Sequence, residues 1–131
     1  MKKVPAINLQ ETLIVLAIIG ILLLLALPNL MPLITKAKSV EAQTQLKALY
    51  NAQSTYRYMH SRFTPNMNEL DFEAPRTVKE NGTANYQYQM TAADSGSFTA
   101  RAEAITDFDG DGVFNVWEID ENGAPRQIVK D

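Results

Sequence analysis

Between Leu13 and Leu27 the chain carries no polar side chain, and a single carboxylate, Glu11, stands at the mouth of that run. Extended outward to Leu9 and Leu30, the segment reaches the length a helix needs to span a hydrocarbon core about 30 Å thick. A carboxylate in such a segment costs roughly 2.5–3.5 kcal/mol at the bilayer centre on insertion scales. The surroundings must therefore be a membrane or a helix bundle, and Glu11 needs a compensating partner there. Lys2 and Lys3 precede the run and favour a cytoplasmic N-terminus, which exports everything after residue 30. A cleaved secretory signal fits less well. Ala26-Leu27-Pro28-Asn29 does not end in the small residues a signal peptidase reads, and Glu11 separates the basic from the apolar region.

Pro28 and Pro32 follow four residues apart, and each removes a backbone donor, so a kink or local melting is expected there. From Leu33 to Tyr58 helix formers resume without Gly or Pro. Ala42, Leu46, Leu49, Gln53 and Tyr56 fall at alternating four- and three-residue steps, which predicts one buried stripe. Ser61-Arg62-Phe63-Thr64-Pro65 ends the helix, with Pro65 as the stop signal, and Asn66 with Glu69 predicts one short helical turn. Residues 73–85 read as loop. Alternation then predicts strands at Tyr86–Met90 and Phe98–Ala104, with a turn at Asp94-Ser95-Gly96 between them. Val116–Ile119 and Arg126–Val129 read as a third and a short fourth strand, joined by the hairpin signal Asn122-Gly123. The expected fold is α+β. A long N-terminal helix, transmembrane in its first half and amphipathic in its second, packs on a small antiparallel sheet.

The part beyond the helix is a domain of roughly 70 residues, a size at which a hydrophobic core is marginal and often stapled. The chain has no cysteine, so the staple cannot be a disulfide. Charge is unevenly spread. From Ser61 onward thirteen acidic residues face six basic ones, a net −7, whereas residues 33–60 carry +3. Such a dipolar chain suits packing between copies, and its acidic half argues against a nucleic-acid partner.

Within that acidic half, Asp107-Phe-Asp109-Gly-Asp111-Gly112-Val113-Phe-Asn115-Val-Trp-Glu118 fits the calcium-loop pattern D-x-D-x-D-G-x5-E. Calcium takes six to eight oxygens at about 2.3–2.6 Å, which requires a tightly wound loop. The expected ligands are Asp107, Asp109 and Asp111 through their side chains, Val113 through its carbonyl, Asn115 directly or through water, and Glu118 to close the site. The flanks read as strands rather than helices, so Asp120 is an alternative to Glu118. A structural calcium ion would supply the missing staple. His60 reads as a surface or capping residue, the tyrosines as helix–sheet interface, and Trp117 as a core anchor. No nucleophile–base pair, phosphate loop or catalytic carboxylate pair is discernible, so no enzyme is expected.

The stretch Ala6-Ile7-Asn8-Leu9-Gln10-Glu11-Thr12-Leu13, the apolar run behind it and Pro28 resemble the superfamily of type IV pilins and type II secretion pseudopilins. Weaker similarity runs through Leu46–Gln53 to Asn68-Glu69-Leu70. The resemblance implies a leader of residues 1–6, a transmembrane and polymerisation segment at 7–32 and a head at 33–131 that includes the second half of the helix. It implies cleavage by a prepilin peptidase between Ala6 and Ile7, where the family usually has Gly and Phe, and N-methylation of Ile7. It implies that Glu11, then fifth, meets the amine of Ile7 in a neighbouring subunit, and that Pro28 marks a stretch that melts during assembly. The implied partners are further copies of the chain, the prepilin peptidase, an inner-membrane assembly platform and the membrane. The precursor would sit in a bacterial inner membrane with its head in the periplasm, and would then enter an extracellular or periplasmic filament. Three functions follow as expectations: a type IV pilus-like structural subunit first, then a type II secretion pseudopilin, or a monomeric membrane-anchored calcium-binding or adhesive module.

Overall fold

The computed structural model describes residues 8–26 and 31–131. Ala6, Ile7 and Pro28 lie outside the described residues. Two units divide the chain, Met1–Ile34 and Thr35–Asp131. The first contains helix α1, Leu9–Ala26, whose side chains are all exposed. At 1.5 Å per residue its 18 residues extend about 27 Å, so it is long and apolar enough to cross a membrane.

Helix α2 spans Met31–His60. Pro32 lies in its first turn, where the missing N–H would have no intrahelical partner in any case, so this proline opens the helix rather than breaking it. The helix stops before Pro65. Ser61 adopts the left-handed conformation (φ 58°), and its N–H donates back to the Arg57 carbonyl at 2.7 Å.

Four antiparallel strands follow in the order β1-β2-β3-β4: Tyr86–Ala93, Phe98–Ala104, Val116–Asp120 and Arg126–Val129. Strand β1 outruns its expected end at Met90 because a bulge between Met90 and Ala92 lets pairing resume on Thr99 and Phe98. In β2, Phe98, Ala100, Ala102 and Ala104 are buried on alternate positions. The small alanines leave room over the strand, and Leu46 and Leu49 of α2 join them in the core with no exposure. Each such leucine contributes about 1.5–3 kcal/mol. Gln53, also fully buried, is held by a two-way bond to the chain beyond the helix. Its Nε2 donates to the Thr64 carbonyl at 2.7 Å, and its Oε1 accepts from the Thr64 N–H at 3.1 Å.

The expected turn after Pro65 is a short 3-10 helix, Met67–Glu69, with Asn66 accepting from the Asn68 N–H. A second one, Val78–Glu80, lies in the segment expected to be loop. Thr77 precedes it and Glu80 is its third residue, the spacing of a helix-start signal, and the Glu80 carboxylate accepts from the Thr77 N–H at 3.2 Å.

Candidate assembly carboxylate and metal centre

Asn8 begins α1 by accepting the Glu11 N–H on its side-chain oxygen at 3.0 Å, while its carbonyl takes the Thr12 N–H at 3.2 Å. Glu11 thereby occupies the first turn of α1. A helix N-terminus favours a carboxylate by about 0.3–1 kcal/mol, well short of the roughly 2.5–3.5 kcal/mol of membrane insertion. The sequence of α1 contains no lysine or arginine, so the helix has no counter-charge of its own.

The acidic loop is wound by backbone N–H groups turned onto its carboxylates. Asp107 accepts from Gly110 at 2.8 Å and also from Gly112, Asp109 accepts from Asp111 at 3.0 Å, and Asp111 accepts from Val113 at 2.8 Å. Gly110 and Gly112 take φ of 83° and 87°, values that favour glycine and give the loop its tight reversals. Asp107, Asp109, Asp111 and Asp131 each bring a carboxylate oxygen within 4.8 Å of the others. Oxygens on a calcium shell of about 2.3–2.6 Å radius lie at most about 5 Å apart, so the spacing fits a hard cation. Asp131 Oδ2 accepts the Phe108 N–H at 2.9 Å, while its Oδ1 is buried without a hydrogen-bond partner.

The electrostatics match that crowding. The Gly112 N–H, assisted by that of Gly110, holds the Asp107 carboxyl below the usual carboxylate range. At Asp109 the bond from the Asp111 N–H lowers the carboxyl. Desolvation and the adjoining Asp131 and Asp111 carboxyls outweigh it, so Asp109 titrates above its ordinary value. A group shifted upward contributes its full stability below its unfolded pKa. Without a cation, that contribution is lost as pH rises through the Asp109 range.

Three expected residues are not brought to this cluster. Asn115 is fully buried. Its Oδ1 accepts from Tyr86 Oη at 2.6 Å and Trp117 Nε1 at 2.8 Å, with Ser39 Oγ at 3.5 Å, and its Nδ2 donates to the Val129 carbonyl at 2.8 Å. Burial pushes the Tyr86 phenol up to about 12, so it remains a donor. Glu118 pairs with Arg101 at 3.1 Å and Arg126 at 3.8 Å, and Asp120 with Arg126 at 3.2 Å. Strand alternation explains both: Ile119 points into the core, so Glu118 and Asp120 face the other way. Asp131 takes their place at the cluster. The hairpin pairs Val116 with Val129, which carries the next residues of the chain back toward the loop. The Asn122-Gly123 turn was the signal that could have located it.

The solvent side of α2 has a second distinctive feature. Ala37, Val40, Thr44, Ala48, Asn51 and Thr55, which share one helical face, are exposed, and none of them carries a charge. Lys47 borders that face, but its ammonium turns aside to donate to the Gly123 carbonyl at 2.8 Å.

A membrane-length apolar helix, followed by a helix packed on a four-stranded antiparallel sheet, defines a pilin-like α+β subunit. The family model described as "Type IV pilin-like G and H" matches residues 39–110. The chain belongs to the type IV pilin-like family, and is accordingly a structural subunit rather than an enzyme. It is also 42% identical over 86 residues to the "Type IV major pilin protein PilA" of Myxococcus xanthus (strain DK1622). That match covers 66% of this chain and 36% of the Myxococcus protein, so the chain spans about a third of the length of this relative.

Proposed function

We propose that the chain is a subunit of a type IV pilus-like filament, held in the inner membrane by α1 until it is assembled. The observation that carries this reading is the outer face of α2 from Ala37 to Thr55, where Lys47 is the one exposed charged residue. A helix whose outer face stays in water ordinarily places charged residues there, whereas a face that packs against neighbouring copies does not need them. The apolar surface of α1 supports the same reading, since both helices can bury their open faces in one bundle. Processing is proposed between Ala6 and Ile7, with Ile7 methylated and its amine paired with Glu11 of the next copy. Electron microscopy of material sheared from the cell surface is expected to show fibres, and mass spectrometry to find Ile7 as their methylated first residue. An intact Met1 in a membrane fraction, with no fibres, would favour a monomeric anchor instead.

Calcium is proposed as a stabilising ion of the head, held by Asp107, Asp109, Asp111 and Asp131 with the Val113 carbonyl as a further donor. The support is the spacing of the four carboxylates, the glycine-wound loop and the unpartnered Asp131 Oδ1. At a hundredfold excess over the dissociation constant an ion stabilises by about 2.7 kcal/mol, and each kcal/mol moves the melting temperature of a domain this size by about 4–8 °C. Chelator is therefore expected to lower the melt of the head by about 10–20 °C, and Asp131→Ala to remove most of that difference. An identical melt with and without chelator would dismiss the ion.

A further inference from the structure

We infer that Asn81 is a carbohydrate attachment site. Asn81-Gly82-Thr83 is the one place in the chain where an asparagine is followed two residues later by Ser or Thr, the acceptor pattern for N-linked sugar when it lies on an exposed loop. The loop satisfies that condition. Asn81 and Thr83 are both exposed, and Asn81 takes the left-handed conformation (φ 62°) just after the Val78–Glu80 turn. The loop base is closed without either side chain. Val78 N–H donates to the Ala84 carbonyl at 2.9 Å, Ala84 N–H to Arg76 at 3.0 Å, and Gly82 N–H to Thr77 at 2.8 Å.

Turn geometry accounts for two of the three residues. Asparagine tolerates the left-handed conformation, and a Cβ at Gly82 would fall 2.0 Å from the Arg76 carbonyl oxygen. It does not account for Thr83, whose hydroxyl makes no hydrogen bond among the described residues. The carboxamide of Asn81 is equally unengaged there. An acceptor amide must leave the protein surface to enter a transferase, and here it can do so without breaking a strand.

The donor class is an oligosaccharide carried on a polyisoprenyl diphosphate at the outer face of the membrane. Transfer joins sugar C1 to Asn81 Nδ2 and breaks the bond from C1 to the diphosphate oxygen. The lipid diphosphate leaves with the bonding pair, and the amide proton passes to a base of the transferase. The inference rests on the proposed export of the head, so the test reads export separately. The protein is isolated from the cells that make it, its Asn81 peptide is weighed, and intact cells stripped of their outer envelope are treated with protease. The expected result is a head open to protease and a sugar mass on that peptide, lost completely in Asn81→Gln and Thr83→Ala and kept in Thr83→Ser. An open head with a bare Asn81 peptide, or a sugar mass that survives Asn81→Gln, overturns the attachment site alone. A protected head overturns export and the attachment site together.

Discussion

Glu11→Ala is expected to abolish surface filaments while leaving the melting temperature of the head unchanged. The two halves of that result have separate causes. Glu11 belongs to α1 in the Met1–Ile34 unit, whereas the core that sets the melt, built on Leu46, Leu49, Tyr86, Phe98 and Ile119, belongs to Thr35–Asp131. The carboxylate itself is only partly compensated by its place in the first turn of α1, and α1 has no cation to complete the task. In the proposed polymer the remainder comes from the Ile7 amine of a neighbour, and a buried pair of this kind is costly to break from one side. The alanine variant removes the carboxylate and leaves the amine unpaired among apolar helices, so a subunit added out of register is no longer distinguished from one in register. Glu11→Gln, which keeps the shape but not the charge, is expected to fail as well. Sheared fractions counted by electron microscopy, beside thermal melts of the same variants, provide the check. Filaments at normal numbers in either variant would mean that Glu11 does not set the register.

The parts of the fold written in local periodicity were legible. The buried stripe Ala42-Leu46-Leu49-Gln53-Tyr56 and the alternating Phe98-Ala100-Ala102-Ala104 occur where expected, because each records one face of one element. One local signal was misread: the Thr77–Glu80 spacing passed as loop. The metal centre was legible only in its first half. Asp107, Asp109 and Asp111 converge because a five-residue loop brings them together. Beyond Gly112 the calcium-loop pattern competes with strand alternation, and from Val116 onward alternation decides where the side chains point. Asp131 was missed because it joins the cluster through strand pairing, which a linear pattern does not encode.

Asn115 shows most sharply what spacing alone misses, and Asn115→Ala is expected to cost the head more than the loss of calcium. The pattern placed this side chain on the ion. The structure instead places it, with no solvent exposure, where it joins four parts of the head: Ser39 of α2, Tyr86 of β1, Trp117 of β3 and Val129 of β4. Alanine would strand the Tyr86 hydroxyl, the Trp117 indole N–H and the Val129 carbonyl. A buried polar group left without its partner costs about 1–3 kcal/mol. The Tyr86 hydroxyl is fully buried, while the Trp117 and Val129 groups are only part-buried and lie toward the low end, so the three together cost roughly 3–6 kcal/mol. Small domains have about 5–15 kcal/mol in all, and the melt is expected to fall by about 12 °C or more at about 4–8 °C per kcal/mol. The comparison that decides between core and ligand is made in chelator. If Asn115 served only the ion, variant and wild type would melt together once calcium is withdrawn. As a core residue it separates them by nearly the same margin with calcium and without, while Asp131→Ala, which also loses the bond from the Phe108 N–H, separates them far more with calcium than without.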